Sequence, residues 1–237
     1  MKSIGILVAM RDELAPLKKL FSLDQTGPGD FYCGRYRGLR LQVSLCGAGP
    51  VRAAQGAAQL VRYGEPELLI SVGLSGGLWH EACTGNIAVA SSVETPGKPI
   101  INNPSPIIGV TSNVPAFPML TLPTVVITRA EKQEVRQAYP DCWSIDMESY
   151  NLAEAASSAG LPWICLRAIS DPWNQDLPLD FNHLINSQGQ PSISRILKNL
   201  ASQPSKIPPL VNFAREVFQA RKHLVTGLTS ILEELPK

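Results

Sequence analysis

Neither sign of charge is in excess in this sequence: 21 lysines and arginines stand against 20 aspartates and glutamates, for a net charge of +1. Binding of nucleic acid through bulk charge requires a basic face, and an acidic tail requires a block of like charges, so neither class is supported. No segment reaches the ~18 consecutive apolar residues of a membrane-spanning helix. The apolar run near the N-terminus is too short for the core of a signal peptide. The sequence therefore predicts a cytoplasmic protein, and contact with the inner face of the membrane stays open.

Cysteine and histidine are too few and too scattered for a metal centre. The five cysteines form no CxxC pair, and an odd set favours free thiols in a reducing compartment over a disulfide framework. The three histidines form no HxxxH or HExxH pattern. We predict no metal and no cofactor, with phosphate left open as a co-substrate.

What the sequence does contain is an alternation of apolar runs and amphipathic segments. With 237 residues, of which 44% are hydrophobic, it predicts a single domain over 1–237, in which 191–237 form a helical C-terminal extension. Strands are predicted at 3–9, 67–73, 86–93, 124–128, 143–147 and 162–170, with a hairpin at 31–47. Helices are predicted at 11–21, 50–63, 130–139 and 148–160, with two more in the extension. This order indicates an α/β fold: an open, mixed but largely parallel sheet flanked by helices.

One segment interrupts the alternation. Residues 94–123 hold seven prolines, and we interpret them as a long irregular excursion of the kind that is usually functional.

Suggestive residues stand at four strand ends: "AMRDE" (9–13), "VGLSGG" (72–77), "IDMES" (145–149) and "RAISD" (167–171). Ligands bind at the carboxyl ends of strands in such sheets, so we expect these segments to meet. Each carboxylate alone is more often a helix cap or a dipole partner than a catalyst. Beyond the last of these ends, Trp173 and Phe181 either cover an apolar ligand or pack the loop down.

Two glycine-containing segments have alternative readings. "CGAGPVRA" (46–53) lies between a strand and a helix, but Arg52 stands where a dinucleotide fingerprint requires its third glycine, so a tight turn is favoured over NAD binding. In "LSGG" (74–77), Ser75 and the glycines either present backbone N–H groups to an anion or sugar, or form a tight turn.

Taken together, the four strand ends resemble the purine nucleoside phosphorylase and nucleosidase superfamily, in particular its 5′-methylthioadenosine/S-adenosylhomocysteine nucleosidase branch. The resemblance covers residues 1–93 and 124–171, and its most specific part is "IDMESYNLAEAASSAGLPWICLRAISD". A further resemblance covers "ISDPWNQDLPLDFN" and "ILKNLASQPSKIPPLVNFAREV". These segments are similar to the hopanoid-associated phosphorylases, which are implicated in removing adenine from adenosylhopane.

The resemblance implies an enzyme and a role for each site residue. Asp171 would be the general acid that protonates, or hydrogen-bonds to, purine N7. Glu13 would position the attacking water, and Arg167 would help to organise that nucleophile. Glu148 would accept hydrogen bonds from the ribose hydroxyls, with Met147 packing on the sugar. The remaining substrate-binding residues would be Leu74, Ser75, Gly76 and Ser170. The physics agrees, because cleavage of an N-glycosidic bond places negative charge on the leaving base, and a positioned acid contributes ~10²–10⁴-fold.

Four departures from the family pattern leave questions open. Leu74 stands where many relatives carry a serine, which puts direct phosphate coordination in doubt. Arg11 replaces an acid and either binds phosphate or lies on the surface. The segment 127–133 leaves little room for the base-stacking loop of the nucleosidases, and 94–123 has no counterpart and is expected to shape the 5′ side of the pocket.

The last predicted helix places Leu210, Phe213, Val217 and Phe218 at helical spacing, with basic residues nearby. Such a helix either packs on the domain or on a partner subunit, or lies on a membrane surface. We also expect a homodimer or a higher homo-oligomer.

The predicted function is therefore cleavage of an adenosine-type nucleoside, with adenosylhopane as first substrate and methylthioadenosine or adenosylhomocysteine as the alternative. A non-catalytic nucleoside-binding protein is the third reading.

Overall fold

The structure, a computed structural model, describes residues 3–27, 29–103 and 114–235. One mixed sheet of ten strands is covered by helices on both faces. The strands are β1 (Ser3–Val8), β2 (Asp24–Gln25), β3 (Phe31–Tyr36), β4 (Leu39–Leu45), β5 (Leu68–Gly77), β6 (Ile87–Glu94), β7 (Ile101–Asn102), β8 (Ala116–Thr121), β9 (Ser144–Asp146) and β10 (Trp163–Asp171).

Helices cover both faces of the sheet because the side chains on both sides of the central strands are mostly apolar. The helices are α1 (Arg11–Leu20), α2 (Pro50–Gly64), α3 (Arg129–Ala138), α4 (Ser149–Ser158), α5 (Ile193–Ser202) and α6 (Ile207–Glu234). All residues of β1 and β10 are buried, as expected of strands with helices on both sides. Along β1, Ile6 packs in the cluster that α1 and α6 cover, whereas Leu7 packs in the cluster that α2 and α4 cover.

The predicted α/β sheet is present, but it is not open throughout. The long ladders β1–β4, β1–β5 and β5–β10 are parallel. At its end β5 also pairs with β9 in the antiparallel direction, and β9 leads through β8 and β6 back to β10. Glycine is required at the end of β5, since a Cβ at Gly77 would lie 2.7 Å from the carbonyl oxygen of Ala82 in the loop that follows. The closed part surrounds the edge at which β5 and β10 end.

A β-bulge interrupts β10 near its last residue. Ile169 lies opposite Ser75 and Asp171 opposite Gly76, so Ser170 is an extra residue in the β5–β10 ladder. Bulges re-aim side chains and are frequent beside active sites. Here the bulge directly precedes Asp171.

The predicted strand at 124–128 is wrong, because this stretch is irregular and the strand lies earlier, at Ala116–Thr121. Pro118 hides that strand in the sequence because proline has no N–H for a ladder. The structure accommodates it where the β6–β8 register shifts, between Ala90 and Ser92. Residues 94–123 are therefore not irregular throughout, although 104–113 lie outside the described residues.

Among the described residues, no helix is both long enough and apolar enough to cross a bilayer.

Candidate active site

A cavity of about 260 Å³ lies at the edge of the sheet where β5 and β10 end. All four strand-end segments singled out in the sequence contribute to its floor, among them Glu13, Ser75, Glu148 and Asp171. The described part of 94–123 contributes no residue to its wall. A wider groove of about 530 Å³ near His223 contains none of the predicted site residues. The smaller cavity is therefore the candidate active site.

Glu13 lies buried in the first turn of α1, directly after β1. Its Oε2 accepts the N–H of Met10 at 3.0 Å, and its Oε1 accepts the N–H of Leu74 at 3.0 Å. Burial outweighs these hydrogen bonds and raises the pKa of Glu13 to about 7. A carboxylate has about four acceptor positions, so two remain for a ligand. Glu13 is thus suited to accept a proton from a bound water near neutral pH.

Glu148 lies just before α4 and faces the same cavity. Its Oε1 accepts the N–H of Gly49 at 2.9 Å. Burial, and after it the negative charge of Asp146, raises the pKa of Glu148 to about 7. The glycines of "CGAGP" do form the predicted tight turn, with Gly47 at φ +82° and Gly49 at φ +107°. Sequence reasoning missed that this turn also supplies a donor to the site.

Arg167 lies beneath the floor of the cavity and is not part of its wall. Its Nε is 2.6 Å from Oδ2 of Asp146, and both side chains are 1% exposed. Its Nη2 also donates to Ser71 Oγ at 2.7 Å. A Cβ on Gly73 would lie 3.3 Å from Glu13 Oε1 and 3.6 Å from Arg167 Nη1, so both groups lie near Gly73. The positive charge of Arg167 opposes the rise in the pKa of Glu13 and of Glu148, so its predicted role in organising the nucleophile would act through these carboxyl groups.

Asp146 was missed as an individual residue, although it stands within the quoted "IDMES". Besides Arg167, it accepts hydrogen bonds from Thr121 Oγ1 at 2.7 Å and from the hydroxyl of Ser149. These donors satisfy a carboxylate whose side chain is 1% exposed.

Asp171 ends β10 and lies in the cavity wall. Ser170 Oγ donates to its Oδ1 at 2.5 Å, and Lys132 Nζ donates to its Oδ2 at 2.6 Å. Burial raises the pKa of Asp171, while Lys132 and Ser170 oppose the shift. Gly76 makes room for the carboxylate, since a Cβ there would lie 3.1 Å from Oδ2.

Lys132 is a charged residue of the cavity that sequence reasoning missed entirely. It comes from α3, is 1% exposed and lines the cavity beside Asp171. Its Nζ also donates to the carbonyl oxygens of Pro172 at 2.9 Å and Gln175 at 3.2 Å. In the sequence it stands among polar residues of a short helix, a pattern typical of a solvent-exposed lysine, so nothing marked it as buried.

Leu74, Ser75 and Gly76 line the cavity from within β5, so the tight turn considered for this stretch is wrong. Leu74 contributes its N–H to Glu13, and Gly76 contributes space for Asp171. Ser75 Oγ is buried and has no hydrogen-bond partner among the described residues. It is available to a ligand that enters at this point.

The roof of the cavity is apolar and comes from the chain after β10. Phe181 and Phe213 face each other with ring centroids 5.6 Å apart, and Leu184 and Val217 lie beside them. Phe181 therefore covers the cavity, which agrees with the first of the two alternatives given for it in the sequence analysis. The roof is tied to the Asp171 loop because Gln175 Nε2 donates to Glu216 Oε2 at 2.8 Å.

A polar floor under an apolar roof is the form of a small-molecule site. Three carboxyl groups with raised pKa values, Glu13, Glu148 and Asp171, face one space. Groups tuned in this way suit proton transfer at neutral pH. The described residues contain no cluster of three or more His, Cys, Asp or Glu side chains that could hold a metal ion.

Comparison with known proteins gives related enzymes. The sequence model of the Phosphorylase superfamily matches residues 3–119. The chain is 26% identical over 201 residues to the 5′-methylthioadenosine/S-adenosylhomocysteine nucleosidase of Maridesulfovibrio salexigens, covering 73% of this chain and 87% of the relative. The corresponding nucleosidase of Neisseria meningitidis, solved with methylthio-immucillin-A, superposes with a TM-score of 0.77 at 17% identity over 99% of this chain and 100% of the other. Futalosine hydrolase of Helicobacter pylori superposes with a TM-score of 0.76 at 16% identity, over 99% and 98% of the two chains.

These comparisons confirm the predicted fold class and the prediction of an enzyme of the nucleoside phosphorylase or nucleosidase kind. The similarity is to the superfamily and to its nucleosidases. The finer resemblance to the hopanoid-associated group stays a prediction.

Proposed function

We propose that this protein hydrolyses the N-glycosidic bond of a 5′-substituted adenosine and releases adenine. The observation that carries the proposal is the set of three carboxyl groups around one cavity: Glu13, Glu148 and Asp171. Glycosidic cleavage builds positive charge on the sugar and negative charge on the base. Glu148 accepts hydrogen bonds from the ribose hydroxyls, Glu13 holds the nucleophile, and Asp171 serves the departing base. The names of the relatives support adenine nucleosides as the substrate class.

Water is favoured over phosphate as the nucleophile. A phosphate site is normally built from cations and backbone donors. Among the described residues that line the cavity, Lys132 is the one cation, and its three N–H groups are already used. Arg11, which the sequence left open as a phosphate ligand, has a side chain 65% exposed and lies 4.0 Å from Asp30.

The test is release of adenine from methylthioadenosine and adenosylhomocysteine with and without inorganic phosphate. We expect phosphate-independent release and a free ribose that keeps its 5′ substituent. A 5′-substituted ribose 1-phosphate product, or a rate proportional to phosphate, would identify a phosphorylase instead. Binding of the nucleoside without any release would support the non-catalytic reading.

The 5′ substituent has two candidates. The relatives favour a methylthio or homocysteine group, as in methylthioadenosine or adenosylhomocysteine. The apolar roof of Phe181, Leu184, Phe213 and Val217 favours a larger apolar group, as in adenosylhopane.

A series of 5′-alkylthioadenosines of increasing chain length separates these candidates, with adenosylhopane as the last member. Each methylene that the roof buries contributes about 0.8 kcal/mol, which is up to ~4-fold in kcat/KM. A rise along the series supports the larger substrate, and a maximum at methyl supports methylthioadenosine.

The predicted membrane contact involves residues 191–219, which we call the outer hairpin. None of its residues is buried, and Ile193, Leu197 and Phe218 are 74%, 61% and 55% exposed. Its charged residues are Arg195, Lys198, Lys206 and Arg215, with Glu216 as the acid. An isologous dimer through this face would place positive charge against itself, whereas anionic lipid headgroups complement it. We therefore propose that the outer hairpin rests on an anionic membrane surface, beside the roof that it shares through Phe213 and Val217.

Sedimentation with phosphatidylcholine vesicles, with and without phosphatidylglycerol, tests this contact. We expect binding only with the anionic lipid, and loss of binding in Ile193→Ser/Leu197→Ser. Val51→Ser is the matched control, because Val51 is 70% exposed on α2. Sedimentation equal in both lipids contradicts the proposal. So does a homodimer that the double variant dissociates, which would assign this face to a second copy.

A further inference from the structure

We propose that Lys132 supplies the proton that Asp171 passes to the departing base; this inference rests on the hydrolysis proposed above. Lys132 acts through Asp171 and does not touch the substrate. It is a positioning residue that also stores a proton.

The hydrogen bonds of Lys132 direct it to Asp171. An ammonium has three N–H donors. All three have acceptors within the protein: Asp171 Oδ2 at 2.6 Å, Pro172 O at 2.9 Å and Gln175 O at 3.2 Å. None is left for a ligand, although Lys132 lines the cavity.

The ammonium of Lys132, 2.6 Å from Oδ2, favours the carboxylate form of Asp171 in opposition to its burial. Ser170 Oγ lies 2.5 Å from the other oxygen, Oδ1. With the ammonium beside it, the resting proton of the pair belongs to Lys132, and Asp171 has none of its own to give. Of its two donors, the ammonium becomes a stable neutral amine on losing a proton, whereas the serine hydroxyl would become an alkoxide.

The proton balance of the step closes with groups of this site and water. An N–H bond of Lys132 breaks as an O–H bond forms on Asp171. That proton then passes to a ring nitrogen of the base while the electron pair of the C–N bond moves to the base. Water adds its hydroxyl to the sugar and gives its other proton to Glu13. Proton exchange with solvent restores Lys132 and Glu13 after the products leave.

The surroundings of Nζ fit both protonation states of Lys132. The ammonium uses one carboxylate and two carbonyls as acceptors. The neutral amine keeps its two N–H bonds to the carbonyls of Pro172 and Gln175, and its lone pair accepts the new O–H of Asp171. A guanidinium keeps the charge but does not give up a proton in proteins.

The variants Lys132→Arg and Lys132→Met separate proton storage from a structural role, with adenine release measured as kcat/KM from about pH 5 to pH 9. In Lys132→Met, Asp171 must hold its own proton, so we expect near-normal activity in acid and a loss of ~10²-fold on the alkaline side. In Lys132→Arg, Asp171 stays ionised, so we expect a loss of ~10²-fold or more at every pH. Lys132→Gln, which is neutral, should follow Lys132→Met.

The control is Lys19→Met, an exposed lysine on α1, which should behave as the wild type. Melting temperature and adenine binding establish that each variant is folded. If arginine preserves more activity than methionine at every pH, Lys132 only holds charge or the loop, and the inference fails while the hydrolysis stands. Should Lys132→Arg not fold, a Lys132→Gln profile parallel to that of the wild type overturns it equally. If the wild type releases no adenine from any nucleoside, both proposals fail.

Discussion

Two ion pairs of equal length lie a short distance apart in this molecule, and they differ in what surrounds them. Arg167 and Asp146 approach to 2.6 Å, as do Lys132 and Asp171. The first pair is sealed, with both side chains 1% exposed, and it is completed by Ser71, Thr121 and Ser149. Both residues of the second pair line the cavity, whereas only Asp146 of the first pair does, and the Asp171 side chain is 8% exposed. The distance between two charges therefore does not reveal their role; access to a ligand does.

The energetic consequence differs in the same way. Removal of one partner from a buried pair leaves an uncompensated charge, which is strongly destabilising. In the sealed pair, the Asp146 side chain that remains is 1% exposed although the residue lines the cavity, so solvent reaches its charge poorly. In the pair beside the cavity, the remaining aspartate takes up a proton instead.

The largest effect on stability is expected for Arg167→Met. It strands Asp146 in a sealed site, and we expect the free energy of unfolding to fall by ~3–5 kcal/mol. Lys132→Met should lose clearly less. Urea unfolding of both variants at neutral pH measures the difference, and equal losses would remove the distinction between the pairs.

Asp171→Asn is expected to abolish most activity while leaving the fold intact. An amide keeps the shape but transfers no proton, so kcat should fall by ~10²–10⁴-fold. Circular dichroism and melting temperature serve as controls for folding. A fully active Asn variant would show that the base leaves without help from this residue.

Glu13 offers a third case, since it is buried against backbone donors instead of a cation. Its pKa rises from 4.5 to about 7 on folding, so the folded state binds its proton more tightly than the unfolded state. Stability therefore falls as the pH rises from about 4.5 to about 7, by ~2–3 kcal/mol for this group. Activity should change in the opposite direction, because only ionised Glu13 accepts a proton.

The variant Glu13→Gln tests both pH dependences, that of stability and that of activity. Its unfolding free energy should lack this decline with pH, and its activity should be low at every pH. If the wild-type rate does not decrease as the pH is lowered from about 7, the role assigned to Glu13 is contradicted.

The smallest effect is expected at the surface. Arg37 and Glu233 lie 2.8 Å apart, but their side chains are 60% and 45% exposed. Solvent screens such pairs, so Glu233→Gln should change the unfolding free energy by less than ~1 kcal/mol. A larger loss would show that ion-pair distance matters more here than burial.

Much of the fold could be predicted from the sequence because its signals are local. The hairpin at 31–47 was predicted, and it turns at Arg37 and Gly38, which both have positive φ, at 50° and 90°. The helix predicted at 50–63 is observed as Pro50–Gly64, and proline suits its first position. The strand at Ala116–Thr121 was missed because prolines mask its pattern, and only pairing with β6 and β9 stabilises it.

The candidate site divides in the same way. Glu13, Glu148 and Asp171 stand at strand ends, and the order of the strands is sufficient to bring strand ends together. The donors to these groups come from distant parts of the chain: Gly49 reaches Glu148 across 99 positions, and Lys132 reaches Asp171 across 39. Separations of that size leave no periodic trace in a sequence.

The sequence by itself determined the alternation of strands and helices, the placement of three carboxylates at strand ends and the apolar character of the chain that covers them. Each depends on residue type and on short spacings along the chain, which determine the local conformation of the backbone. Only the tertiary structure decided that Arg167 is sealed beneath the floor, that a bulge at Ser170 aims Asp171 into the cavity, and that Lys132 is buried against it. Burial and partnership depend on which surfaces meet, and they fix how each carboxyl group binds its proton.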